Sequence, residues 1–183
     1  MLKSSAWIKD QAERFQLLDP FVPDPVREGV ISYGLGPYGY DIRLHKTYKQ
    51  PTSTASILDP YNIQDTDFDT QTEKIIHIPA GSYILGRSLE YFRMPNKVMG
   101  LVFGKSTYAR NGILVNVTPI EPEWSGFLTI SISNLSGRTA VLYPQQGIAQ
   151  VLFFESDTLP LFSYKELKGK YNEQTDILPA TVK

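Results

Sequence analysis

Apolar and polar positions alternate along most of this chain. In "WSGFLTISISN" (residues 124–134), Leu128, Ile130 and Ile132 share one face and Phe127, Thr129, Ser131 and Ser133 the other, the period of a strand with one face in a core. The same alternation predicts strands in "YDIRLHKTY" and "NKVMGLVFG". It predicts two more around the Pro-Ala-Gly turn of "KIIHIPAGSYILGRSLEYFRMP" and two joined by "PQQG" in "TAVLYPQQGIAQVLFFES". "ILVNVTPIEPEWSG" reads as a strand running into a proline-bearing turn. One stretch has a different period. In "SSAWIKDQAERFQLL" (4–18), Trp7, Ile8, Ala12, Phe15 and Leu18 recur at helical spacing behind a cap at Ser4 or Ser5, and the prolines of "DPFVPDP" end the helix.

Three regions break the alternation. "GVISYGLGPYGYDIRL" interleaves four glycines with tyrosines, a sign of bends and close backbone contacts. Residues 51–73 are polar and turn-rich and predict a long loop with one short strand. The tail "YKELKGKYNEQTDILPATVK" lacks a strong period and reads as a flexible arm or a segment that orders on something else. Many short strands with frequent turn signals predict a mainly β fold, a β-barrel or jelly roll with an N-terminal helix. No repeat or linker divides the chain. The expectation is one domain over 1–183, with about 160–183 as a C-terminal arm.

Composition narrows the chemistry. The formal net charge is −1 over 183 residues, with no basic block, which argues against a nucleic-acid-binding surface. There is no cysteine and there are two histidines, His45 and His77, so the His/Cys zinc set of the nucleobase deaminases is excluded. No window is apolar enough to span a bilayer or to read as a signal peptide, so the expectation is a cytoplasmic protein (host cytoplasm if viral) with no membrane partner.

Three segments carry candidate chemistry. "GKSTYARNG" places Lys105, Ser106 and Arg110 in one turn, with Ser106 and Arg110 four apart on one helical face. Two cations and a hydroxyl suit a phosphate chain, although a solvated surface helix reads the same way. Met99 stands where a Walker A loop needs glycine. "VTPIEPEW" holds Glu121 and Glu123 in a turn stiffened by Pro119 and Pro122, where a carboxylate can orient water or accept from a sugar hydroxyl. "GKYNEQ" offers Lys170, Tyr171 and Gln174 to a closing arm, and it reads equally as a disordered charged tail.

Together, "SYGLGPYGYDIRL", "GKSTYARNGILVNVTPIEPEW", "GIAQVLFF" and "GKYNEQT" resemble the dCTP deaminases of the trimeric dUTPase superfamily, in that family's order and over nearly the whole chain. The resemblance implies a dUTPase-like fold, a homotrimer with shared active sites, and a deoxypyrimidine triphosphate ligand. Mg²⁺ is then held mainly by the triphosphate, with no direct protein ligand. It further implies that Lys105, Ser106 and Thr107 hold the triphosphate, with Arg110 beside the reaction centre. The backbone of residues 116–119, with Asn116, Thr118 and Pro119, reads the pyrimidine edge. Glu121 contacts the deoxyribose in deaminases and positions water in dUTPases. Tyr164, Lys170, Tyr171 and Gln174 belong to the arm that closes over the phosphates. Asp41 and Arg43 are candidates for structural ion pairs.

At one position the chain departs from the family. Its deaminases carry a glutamate within "ITIEISN"; here the strand reads "LTISISN" and the position is Ser131. Zinc-free deamination needs a base that takes a proton from water and returns it to the leaving amine. A serine without an activating histidine does not serve. Glu121 and Glu123 are the acids nearby in sequence. The leading expectation is therefore hydrolysis of the triphosphate to monophosphate and pyrophosphate. The alternatives are dCTP deamination with a displaced or engineered base, and a catalytically silent nucleotide-binding regulator.

Overall fold

Strands dominate the computed structural model, which describes all residues except 53–56, 58, 163, 165, 168, 181 and 183. Strand accounts for 42% and helix for 10%, as the alternation requires. Helix α1 (Ser5–Phe15) buries Ile8 and Ala12 but leaves Phe15 exposed, and Leu18 lies beyond its end in strand β1 (Leu18–Asp19). The helix is therefore shorter than the periodicity predicts. Gln16 takes a left-handed conformation and its N–H returns to Ala12 O, closing the helix one turn early.

The strands then follow in order: β2 (Gly34–Leu35), β3 (Tyr40–Pro51), β4 (Phe68–Thr72), β5 (Ile76–Ile78), β6 (Tyr83–Arg93) and β7 (Val98–Gly104). A four-residue helix α2 (Ser106–Ala109) separates them from β8 (Ile113–Asn116), β9 (Ser125–Asn134), β10 (Ala140–Leu142) and β11 (Gly147–Glu155). The predicted 51–73 loop thus carries one short strand, β4, and residues 53–56 and 58 lie outside the described residues. The two strands joined by "PQQG" are present but do not pair: β10 pairs with β5 while β11 lies between β7 and β3.

The main sheet runs β7-β11-β3-β6-β9-β8, with β1, β2 and β4 added to β6 and β3. Its two ends meet. Gly100 on β7 exchanges both backbone hydrogen bonds with Ile120, just past β8, at 2.9 and 2.8 Å. Glycine is required there because a Cβ would stand 2.8 Å from the Ile120 side chain. The sheet therefore closes nearly into a barrel, with β7 tied at Gly100 to the segment that leaves β8. Inside lie Ile42, Leu44, Ile84, Phe92, Ile130, Ile132, Val151 and Phe153, with almost no exposed surface. Each large aliphatic side chain so buried stabilises the fold by about 1.5–3 kcal/mol.

Polar groups mark the irregular points of the barrel. The β6–β9 register shifts between Arg87 and Tyr91. There Ser88 donates to Glu90 O at 2.6 Å and accepts from Leu128 N–H at 2.9 Å, filling the interrupted ladder. Glu90 keeps the inward phase of β6 and is fully buried, where it accepts from Arg43 Nε at 2.7 Å and from the Arg43 N–H at 2.9 Å. Burial pushes the Glu90 carboxyl up and Arg43 pulls it back. Both expected ion-pair residues on β3 are thus paired, but with distant partners: Arg43 with Glu90, and Asp41 with Lys105. Among the described residues no helix is long and apolar enough to cross a membrane.

Candidate functional site

The polar face of β9 looks onto a cavity of about 380 Å³ on the outside of the barrel. Thr129 and Ser131 form its floor with Leu85 from β6, the strand that pairs residue by residue with this part of β9. The segment leaving β8, residues 116–121, forms one wall. Tyr164, Tyr171 and Gln174 close another. Eight residues singled out in the sequence therefore meet in one place: Asn116, Thr118, Pro119, Glu121, Ser131, Tyr164, Tyr171 and Gln174.

The barrel closure positions Glu121. The Gly100–Ile120 pair pins the preceding residue, and Ile120 is buried beneath it. Glu121 is then partly buried and lines the cavity, whereas Glu123 is exposed with φ 64° and does not line it. The "EPE" pair splits into one acid in the site and one outside. Among the described lining residues Glu121 is the only acid. Ser131 lies in the floor and so faces this cavity.

Residues 171–176 of the tail are not the loose arm its composition allows. Trp124 Nε1 donates to Tyr171 O at 2.6 Å, Ser125 N–H to Asn172 Oδ1 at 3.1 Å, and Phe127 N–H to Gln174 O at 2.9 Å. Gln174 is 5% exposed; its amide donates to the Thr129 hydroxyl and, at 2.7 Å, to Asp176 O. Gly126 makes this approach possible. It takes φ 148°, and a Cβ there would lie 2.9 Å from both the N and the O of Gln174. The segment orders on its own chain, using backbone groups at the start of β9.

The "GKSTYARNG" turn stands apart from this cavity. Lys105 Nζ donates to Asp41 Oδ2 at 2.6 Å and to Ser32 Oγ at 2.9 Å, and only 12% of its side chain is exposed. Ser106, Thr107 and Arg110 are exposed. Thr107 lines a different cavity, about 660 Å³, with Arg27, Ser32, Tyr143 and Gln146. The physical reason is the length of β7. Lys105 follows five residues after the Gly100 pair that carries Glu121, roughly 16 Å along an extended strand. Within one chain, Lys105, Ser106 and Arg110 do not join Glu121 and Ser131. Among the described residues no group of three or more His, Cys, Asp or Glu gathers to hold a metal ion.

Leu85 and Trp124 line the cavity without having been singled out in the sequence. Trp124 lines the cavity and ties down the tail; its place between a proline turn and a glycine was the available signal. Leu85 and Arg87 share the outward face of β6 and carry no signal without the β6–β9 register.

Comparison with known proteins gives these features a lineage. Residues 2–156 match the family model described as dCTP deaminase-like. A dCTP deaminase of Roseiflexus castenholzii is 48% identical over 179 residues, 97% of each chain. One of Neisseria meningitidis is 45% identical over 181 residues, 96% of each. The crystal structure of 2'-deoxycytidine 5'-triphosphate deaminase from Agrobacterium tumefaciens superposes with a TM-score of 0.65 at 15% identity, showing a shared fold. That match covers 85% of this chain and 48% of the other, so this chain spans about half of that protein's length. With a family match over most of its length and near-half identity to full-length relatives, the chain belongs to the dCTP deaminase-like family.

Proposed function

We propose that the cavity over β9 takes the base and sugar of a deoxypyrimidine triphosphate and that the reaction is deamination of dCTP to dUTP and ammonia. The observation that carries this is the convergence of Thr129, Ser131, residues 116–121 and Gln174 on one cavity. The relatives of near-half identity are named for deamination, which favours it over the hydrolysis expected from Ser131 alone. Water adds to C4 of the cytosine ring and the C4 amino group leaves as ammonia. One group must accept a proton from water and deliver it to the departing nitrogen. Glu121, the only acid among the described lining residues, is the candidate. The Thr129 and Ser131 hydroxyls hold the attacking water beside it. Such a displaced base explains how a chain with Ser131 retains the family reaction.

The triphosphate extends beyond this cavity and carries Mg²⁺ on its own oxygens. The Lys105–Arg110 turn serves it from another copy of the chain, in a homotrimer with shared sites. Exposed Phe103 and Leu114, 55% and 52% accessible on β7 and β8, favour covering by a second copy.

A second reading keeps one specific observation. Ser131 puts a hydroxyl, not a carboxylate, in the cavity floor, and Glu121 is then free to orient water for hydrolysis to monophosphate and pyrophosphate. Product resolution separates the readings. Purified protein with dCTP and magnesium is expected to yield dUTP and ammonia; dCMP or dUMP with pyrophosphate would establish hydrolysis instead. Tight binding without turnover would establish a regulator. Ser131→Glu restores the family's own base and is expected to raise dUTP formation by about 10². No increase would show that the missing glutamate does not limit the rate.

A further inference from the structure

We propose that Arg87 is the positioning residue that seats the C-terminal segment over the cavity, holding it closed without touching the groups that react. Only its effect on dCTP kinetics rests on the functional reading above; the seating itself does not.

The geometry begins at the bulge in β6. Arg87 is the last residue in regular register before the shift, and its cross-strand partner is Thr129. Thr129 is the residue whose hydroxyl accepts from Gln174. Arg87 therefore emerges beside the point where the tail meets the cavity floor. Its guanidinium stacks over the Phe127 ring, 4.1 Å from the centroid. Nη1 donates to Thr175 O at 3.4 Å. Nη2 lies 3.3 Å from His45 Nε2 on β3. One planar fork thus reaches the tail, a ring of β9 and a ring of β3 together, which a lysine ammonium does not reproduce.

The contact falls where it controls the cavity. Thr175 follows Gln174, whose carbonyl receives the Phe127 N–H and whose amide lines the cavity. Asp176, the next residue, acts on both Arg87 and His45 through its charge. Upstream, Asn172 and the Tyr171 carbonyl are tied to Ser125 and Trp124; downstream, Ile177 is buried. Arg87 is the side chain from the barrel that fastens the stretch between these anchors from the β6 side. Without it, residues 174–176 keep their own bonds to β9 but lose the support that holds them down.

Hydrogen exchange on the full chain tests this. The reporter is the Phe127 N–H, bonded to Gln174 O, and the control is the Ile42 N–H inside the barrel. In Arg87→Met, Phe127 exchange is expected to accelerate at least about tenfold while Ile42 exchange stays unchanged. Arg87→Lys is expected to fall between Met and wild type, and it carries the test if the Met variant does not fold. With dCTP, KM is expected to rise about tenfold with kcat within about twofold, the pattern of a smaller closed population. Unchanged Phe127 exchange, or equal acceleration at Ile42, would overturn the proposal. If wild-type protein binds no dCTP, the functional reading fails, and the exchange result still decides the role of Arg87.

Discussion

Two stretches of this chain look equally suited to a nucleotide in the sequence, and the fold treats them differently. The cavity over β9 is assembled within one chain from residues 85, 116–121, 129–131 and the tail. The Lys105–Arg110 turn, richer in charge, lies at the far end of β7 with its lysine held by Asp41 and Ser32. The difference teaches that motif density is not site geometry. A barrel strand separates Glu121 from Lys105, so one chain completes the cavity over β9 and presents the cationic turn elsewhere.

The largest expected effect breaks the first region at its chemistry. Glu121→Gln is expected to lower dCTP turnover by about 10² to 10⁴, with the dCTP Kd changed by less than about threefold. Steady-state kinetics beside calorimetry measures both, and persistent turnover would remove Glu121 from the mechanism. Lys105→Met breaks the second region alone. It leaves Asp41 half-buried without its cation, and unfolding stability is expected to fall by about 1–3 kcal/mol. Phe127 amide exchange should not change, because the tail does not depend on this pair.

Gly126→Ala targets the tail directly. Its φ of 148° and the 2.9 Å approach of Gln174 leave no place for a methyl group. A local cost of about 1–3 kcal/mol is expected, read as faster exchange at Phe127 and Ser125 and a higher KM for dCTP. Exchange as slow as wild type would show that the tail accommodates the methyl group.

The smallest effect is on pH dependence. Burial, then the charges of Arg87 and Lys46, hold His45 below the ordinary histidine value, with Asp176 acting in the opposite sense. Both ring nitrogens also face donors, Thr47 N–H at 3.1 Å and Arg87 Nη2 at 3.3 Å, so a protonated ring satisfies neither. The unfolded chain takes up this proton near pH 6.5 and the folded chain only lower. Stability contributed here is present above about pH 6.5 and is lost as pH falls through the lowered folded value. His45→Gln is expected to flatten that slope in thermal melts; an unchanged slope would assign it to another group.

Much of this was legible in the sequence because strand periodicity writes burial directly. Leu128, Ile130 and Ile132 alternate in "FLTISIS" and all face the core. The polar face of the same strand, read as a possible site wall, places Thr129 and Ser131 in the lining of a cavity. What stayed hidden depends on partners far along the chain. Nothing in "GKST" reveals that Lys105 pairs with Asp41, 64 residues away. The tail reads as a flexible arm or a segment that orders on something else, because two of its ties are the backbone N–H groups of Ser125 and Phe127, which no side-chain pattern records. Arg87 reads as one more exposed strand residue until the register places it opposite Thr129.

The central claim is that one chain alone forms the pocket for base and sugar. Amide chemical shifts measured while adding deoxycytidine, which has no phosphates, test it most directly. The account predicts shifts confined to residues 116–121, 127–131 and 171–176. Shifts centred instead on residues 27–32 and 105–110 would contradict it.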